Sequence, residues 1–169
     1  MRVVAGRYGG RTLKAPRGRD VRPTADRVRE ALFSILGPLD GLAVLDLFAG
    51  TGALWIEALS RGAASCVFVD VDTRPVQANL DALEIEAEVR RGQALSALKA
   101  GDHYDLVLLD PPYGDAARLG RELTEALPPV LKPSARVVSE SDRRQPLELG
   151  LPLNDERRYG DTLIRIHTA

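Results

Sequence analysis

Short apolar runs alternating with helical segments set the architecture of this chain. Ala43–Leu47, Cys66–Val69, Leu106–Leu109 and Arg136–Ser139 have strand length, and Ala87–Arg90 is a less apolar member of the series. Between them, Ala53–Ser60, Pro75–Leu83, Ala94–Leu98 and Leu119–Leu127 read as helices, the last broken at Pro128-Pro129. Strands that short and apolar leave no face for water, so helices must cover both sides of a mostly parallel sheet. Two late segments, Glu156–Tyr159 and Thr162–Ile166, read as an antiparallel pair that closes a seven-stranded sheet. Ahead of the alternation, Val28, Ala31, Leu32, Ile35 and Leu36 fall on one helical face. Thr24, after Pro23, is placed to cap that helix, and Gly37-Pro38 ends it. At the start, Val3–Ala5 and Arg11–Lys14 flank Tyr8-Gly9-Gly10 as a small hairpin, with Arg17–Arg22 a polar loop beyond it. The expected fold is α/β and Rossmann-like, with residues 1–22 a basic hairpin arm and 23–169 the main domain.

Charge is distributed unevenly between those two parts. Arg2, Arg7, Arg11, Lys14, Arg17, Arg19 and Arg22 stand against Asp20 alone, so the arm carries +6 and the rest −7, within a net charge of −1. A basic arm on an acidic body suits a polyanion partner. No run approaches the ~18 apolar residues of a membrane span, and no secretory signal opens the chain, so a cytoplasmic protein is expected. Cys66 is the single cysteine; it reads as a small buried residue beside a strand, in a reducing compartment. His103 and His167 stand apart from acids or cysteines at metal spacing and read as surface or edge residues, so no metal is expected. Nothing in the sequence demands more than a monomer.

In open α/β sheets, ligands bind beyond the carboxyl ends of the strands. The first such end reads Asp46-Leu47-Phe48-Ala49-Gly50-Thr51-Gly52-Ala53. Two glycines let the backbone turn tightly against a ligand, and the following helix points free amides at it. A dinucleotide fingerprint would need glycine where Trp55 stands, and Asp46 would repel a pyrophosphate. Asp46 suits a cationic or zwitterionic ligand such as S-adenosylmethionine, whose ammonium it can accept from. The second strand ends in Asp70-Val71-Asp72. Asp70 lies near the ~20-residue spacing at which an acid meets ribose hydroxyls, while Asp72 reads as the cap of the next helix. Gln93, with Ala94, follows the third strand, where a side-chain amide can meet an adenine edge.

The fourth strand runs into Asp110-Pro111-Pro112-Tyr113. Two prolines fix φ and remove two donors, leaving a stiff loop that offers acceptors beside an aromatic ring. Such a loop fits a planar aminoaromatic substrate. Tyr113 stacks on the ring, while Asp110 and the Pro111 carbonyl each accept one hydrogen of the amino group. These acceptors favour a pyramidal nitrogen and stabilise the positive charge that grows as it attacks a methyl group. Physics alone leaves guanine N2 and adenine N6 both open.

With these strings in place, the chain resembles Rossmann-like methyltransferases acting on exocyclic amines. More narrowly, it resembles the bacterial 16S rRNA guanine-N2 methyltransferases, which modify one guanine, position 966 in the usual rRNA numbering. The resemblance spans nearly the whole chain. It rests on Arg2–Gly6, Gly10–Leu13, Arg22-Pro23-Thr24-Ala25-Asp26-Arg27-Val28-Arg29-Glu30-Ala31-Leu32-Phe33, Asp46–Leu54, Glu57–Ala63, Asp110–Tyr113 and Tyr159–Thr162. It implies that Asp46, Ala49, Gly50, Gly52 and Asp70 bind the cofactor, with Phe48, Thr51, Val71, Gln93 and Ala94 as further candidates. It implies that Asp110 through Tyr113 hold the target base, and that Arg7, Arg11, Lys14, Arg19, Arg22 and Arg27 grip 16S rRNA in a protein-bound small-subunit particle. Two positions depart from the pattern: Gln93 replaces a usual acid, and Trp55 replaces a usually small residue and either packs under the sheet or crowds the pocket. Three other readings remain: an adenine-N6 methyltransferase of DNA or RNA, a protein glutamine methyltransferase, and a catalytically silent RNA-binding assembly protein. The lack of a separate duplex-reading module, the basic arm and the intact Asp110–Tyr113 loop respectively weigh against them.

Overall fold

The computed structural model describes residues 1–14, 23–112, 114 and 116–169. Arg19, Arg22 and Tyr113, expected to bind RNA or the target base, lie outside the described residues. Seven strands form one sheet: β1 (Ala43–Asp46), β2 (Ser65–Asp70), β3 (Glu88–Arg91), β4 (Tyr104–Leu109), β5 (Leu131–Asp142), β6 (Leu153–Tyr159) and β7 (Thr162–Thr168). They lie in the order β3-β2-β1-β4-β5-β7-β6. The first five run parallel, and β7 lies antiparallel to both β5 and β6. The expected mostly parallel sheet with an antiparallel end, the Rossmann-like methyltransferase fold, is thus the observed one.

Because successive strand residues point to opposite faces, each central strand feeds two cores. Val44, Phe68, Leu106, Leu108 and Val138 meet the apolar sides of α1 (Pro23–Leu36), α2 (Ala53–Ser60) and α3 (Arg74–Leu83). Leu45, Val67, Val69, Val107 and Val137 meet Leu123 of α4 (Ala116–Ala126), Ala97 of a 3-10 turn, and Leu147. Trp55 is fully buried in the first core, so it packs under the sheet and does not crowd the pocket. Cys66 is buried in β2. Among the described residues, no helix is long and apolar enough to cross a membrane, and no group of three potential metal ligands occurs.

Several local expectations differ from the structure. Among the described residues the arm forms no two-stranded ladder and makes the single bridge Arg2–Thr12, flanked by Val3 N–H to Arg11 O (3.0 Å) and Leu13 N–H to Met1 O (2.9 Å). The reason is competition for donors. The amides of Val4 and Ala5 turn instead to the carboxylate of Glu57 on α2, at 2.6 and 3.0 Å. Helix α1 begins at Pro23, which suits a first helical position, so Thr24 lies inside the first turn and is not its cap. Residues 94–98 make only a 3-10 turn, Leu95–Ala97. Strand β5 runs to Asp142, well past the expected Ser139, because Glu140, Ser141 and Asp142 pair through the backbone with Ile164, Leu163 and Thr162 of β7. His167 is buried in β7, between β5 and β6, with Nδ1 3.0 Å from the Leu151 carbonyl oxygen. It is neither at the surface nor at the sheet edge, and burial lowers its pKa.

Candidate active site

The chain leaves β1 for β2 and β3 on one side, then returns to β4 on the other. The switch point therefore lies between β1 and β4, where a crevice must open. Asp46 ends β1, and Asp110 directly follows β4.

The loop after β1 is fastened on two sides. Leu47 N–H donates to Leu108 O on β4 (3.3 Å), and Ala49 N–H to Val69 O on β2 (2.9 Å). Gly50 N–H donates to Asp70 Oδ2 at 2.8 Å. Gly52 caps α2 at φ 76°, a left-handed conformation that favours glycine. A Cβ there would also meet Val76 Cγ2 at 2.7 Å. The loop's own backbone is thereby left open toward the crevice. Asn79 of α3, a buried residue that the sequence reading passed over, holds the loop from below by donating to Thr51 O at 2.9 Å. The same side chain exchanges hydrogen bonds with the backbone of Lys14, so the end of the arm and the loop share one anchor.

Asp46 is only 4 % exposed and accepts from Phe48 N–H at 3.0 Å. Burial pushes its pKa well above the usual carboxylate range, and the neighbouring charges of Asp110 and Asp70 add to the rise. A buried carboxylate with acidic neighbours calls for a cation. Asp70 accepts from Gly50 N–H and Asp72 N–H and retains lone pairs for ribose hydroxyls. Val71 beside it is 55 % exposed, an apolar surface at the crevice edge. Asp72 accepts from Arg74 N–H and pairs with its guanidinium, but the cap position of α3 is Thr73, so Asp72 stands one residue before the cap expected of it. The residues present fit S-adenosylmethionine in kind: a buried carboxylate suits an ammonium, free carboxylate lone pairs suit ribose hydroxyls, and an exposed apolar edge suits an adenine face.

On the other side of the switch point, Pro111, Pro112, Phe48 and Gln93 line a cavity of about 260 Å³ together with Leu119, Ser141 and Gln145. Gln93 thus faces the site, whereas the side chain of Ala94 is buried in the core on the α4 side, leaving only its backbone for a ligand. Ala49 is buried as well. Ser141 and Glu140 come from the polar extension of β5 and were missed in the sequence. The signal was available, since Glu140 follows a predicted strand just as Asp110 does. Burial, then the charge of Asp110, pushes the Glu140 pKa up to about 8.

The cations of the arm lie apart from one another. Lys14 sits beside the cofactor loop through Asn79, and Arg11 donates to Ala82 O near the end of α3. Arg7 lies at Ser60, the far end of α2, about 12 Å from the loop at 1.5 Å per helical residue. Arg27 is exposed on α1.

Asp46 carries a pH-dependent cost. Its folded pKa lies above its unfolded one, so the folded state binds the proton more tightly and loses stability as pH rises and the buried carboxylate ionises. Asp46→Asn should therefore raise the unfolding temperature of the ligand-free protein at alkaline pH and change it little at acid pH, while S-adenosylmethionine affinity falls sharply. Calorimetric unfolding across pH, with titration of the cofactor, checks both halves.

A family model described as "Conserved hypothetical protein 95" matches residues 1–168. The Haemophilus influenzae protein named Ribosomal RNA small subunit methyltransferase D is 36% identical over 159 residues, covering 87% of this chain and 81% of that one. A Bacillus subtilis protein provisionally named rRNA methyltransferase YlbH is 47% identical over 123 residues, 67% of each chain. The solved structure of Escherichia coli yhhF, provisionally called a methyltransferase, superposes with a TM-score of 0.86 at 32% identity, covering 99% of this chain and 97% of that one. The chain belongs to the family of the ribosomal RNA small subunit methyltransferases D, the family of that model.

Proposed function

We propose that this protein transfers a methyl group from S-adenosylmethionine to the exocyclic N2 of one guanine in 16S rRNA, within a protein-bound small-subunit particle. The observation that carries the reading is the meeting, at one switch point, of the Asp46–Gly52 loop with the acceptor loop Asp110-Pro111-Pro112 beside a cavity of about 260 Å³. Ligand pockets usually run from ~300 Å³ upward, so this cavity suits a single base, and the target must leave its stack. The names of the relatives point to small-subunit rRNA as the substrate class.

When bound, S-adenosylmethionine supplies an electrophilic methyl on a sulfonium that departs as a neutral thioether. The residues of this chain do the rest by position and charge. Asp46 holds the ammonium, Asp70 the ribose, and Val71 the adenine face. Asp110 and the Pro111 carbonyl accept the two N2 hydrogens and turn the nitrogen lone pair toward the methyl carbon, while Tyr113 stacks on the base. Positive charge grows on N2 during attack, and Asp110 stabilises it there. The nitrogen then sheds one proton to an adjacent acceptor or to water.

The test is transfer of labelled methyl to small ribosomal subunits from cells lacking this protein, with nucleoside analysis by mass spectrometry. N2-methylguanosine in 16S rRNA is the expected product. N6-methyladenosine would overturn the acceptor, and cofactor binding without transfer would overturn the activity.

Arg7, Arg11 and Lys14, spread along α2 and α3, are assigned to the rRNA backbone flanking the target. Replacing all three with alanine should lower affinity and reduce the slope of log K against log salt by about 2, at roughly 0.7 per lost phosphate contact on single strands. Filter binding across a salt series measures the slope; an unchanged value removes the arm from the interface.

A further inference from the structure

Glu140 has no part in the mechanism above, yet its placement gives it one. It extends β5 one residue past Ser139, which is in register with Leu109, so Glu140 stands beside Asp110 across adjacent parallel strands. The strand order and the even residue spacing put Asp46, Asp110 and Glu140 at neighbouring strand ends. Ser141, the next residue, lines the cavity with Pro111 and Pro112, and its buried hydroxyl has no hydrogen-bond partner. Glu140 itself is half-buried, and no described residue donates a hydrogen bond to it. Its cross-strand neighbour on β7 is the apolar Ile164. A carboxylate placed this way, with another carboxylate beside it, is costly unless a ligand brings donors.

Guanine brings them. Its N1–H and N2–H₂ form an unbroken row of donors along one edge, whereas adenine places an acceptor at N1. With N2 held by Asp110 and the Pro111 carbonyl, the adjacent ring nitrogen comes next to the neighbouring strand end. Resting on that reading of the site, we infer that Glu140 accepts the N1–H of the target guanine and is the residue that selects guanine over adenine. A site built to hydrogen-bond a donor rejects an analogue lacking it much more strongly than an apolar pocket rejects a change of shape. Burial and the charge of Asp110 raise the Glu140 pKa to about 8, and an N1–H donor, which favours the ionised form, offsets that rise when guanine binds.

The experiment compares small subunits reconstituted on rRNA with either guanine or 2-aminopurine at the target position. 2-Aminopurine keeps the 2-amino group and lacks N1–H. Wild-type protein should favour guanine by about 10- to 100-fold in kcat/KM, the range of a hydrogen bond to a charged group. Glu140→Ala should lower kcat/KM for guanine by a similar factor and leave 2-aminopurine nearly unchanged, collapsing the ratio. The isosteric Glu140→Gln keeps one acceptor without the charge and should retain an intermediate preference for guanine, with the fold checked by unaltered S-adenosylhomocysteine affinity and thermal unfolding. Equal losses on both bases, or an unchanged ratio, would overturn the inference while leaving the function standing. Absence of transfer to guanine by the wild-type protein would overturn the function and this inference with it.

Discussion

Asp110→Ala should reduce methyl transfer to small subunits by about 100- to 1,000-fold, the usual loss when a preorganised acceptor of developing charge is removed. Cofactor affinity should stay near the wild-type value, because the loop after β1 is held by Leu108 O, Val69 O, Asp70 and Asn79, none of which depends on Asp110. The charge of Asp110 also helps raise the pKa values of Asp46 and Glu140. Its removal should let both carboxyls ionise at lower pH, so the pH profile of cofactor binding should shift to the acid side. Asp110→Asn keeps one acceptor without the charge and should fall between the two. Single-turnover transfer with parallel cofactor titration separates these effects. Loss of binding and transfer together would place Asp110 in the cofactor pocket.

The parts legible in the sequence were those where burial or backbone geometry forced a residue type. Parallel strands covered on both faces must be apolar, so β1, β2 and β4 stand out in the sequence, and their carboxyl ends point to Asp46, Asp70 and Asp110. Glycine at position 52 was legible because the turn needs its conformation. What stayed hidden depended on partners distant in sequence. Glu140, Ser141 and Asp142 have no apolar pattern, and only pairing with β7 makes them strand. Asn79 looks like any polar helix residue until Lys14 and Thr51 close around it. The ladder expected in the arm failed because a carboxylate more than fifty residues away takes the amides of Val4 and Ala5.

That carboxylate, Glu57, is where the largest loss of stability should fall. It is fully buried on α2, accepting from Val4 N–H, Ala5 N–H and Arg61 Nε, with the buried Arg29 Nε at 4.0 Å. Arg29 in turn donates to the Arg2 carbonyl and to Asp26. The Arg22–Phe33 run, which carries the RNA-binding candidates Arg22 and Arg27, therefore spends another of its arginines on holding the arm to the body. The apolar anchors Val3 and Leu13 contribute about 1.5–3 kcal/mol each, so docking would survive without Glu57, but two amides would lose their acceptor in a site closed to water. Removing one member of a buried charged network costs about 3–5 kcal/mol, which for a chain of this size corresponds to a fall of about 10 °C in unfolding temperature. Glu57→Ala should show that fall, together with faster amide exchange at Val4 and Ala5. If the arm grips RNA only when seated, the same variant should bind rRNA more weakly at temperatures where the body stays folded, with cofactor affinity unchanged. Equal RNA affinity in a protein whose arm exchanges freely would mean that the arm's cations act without being positioned.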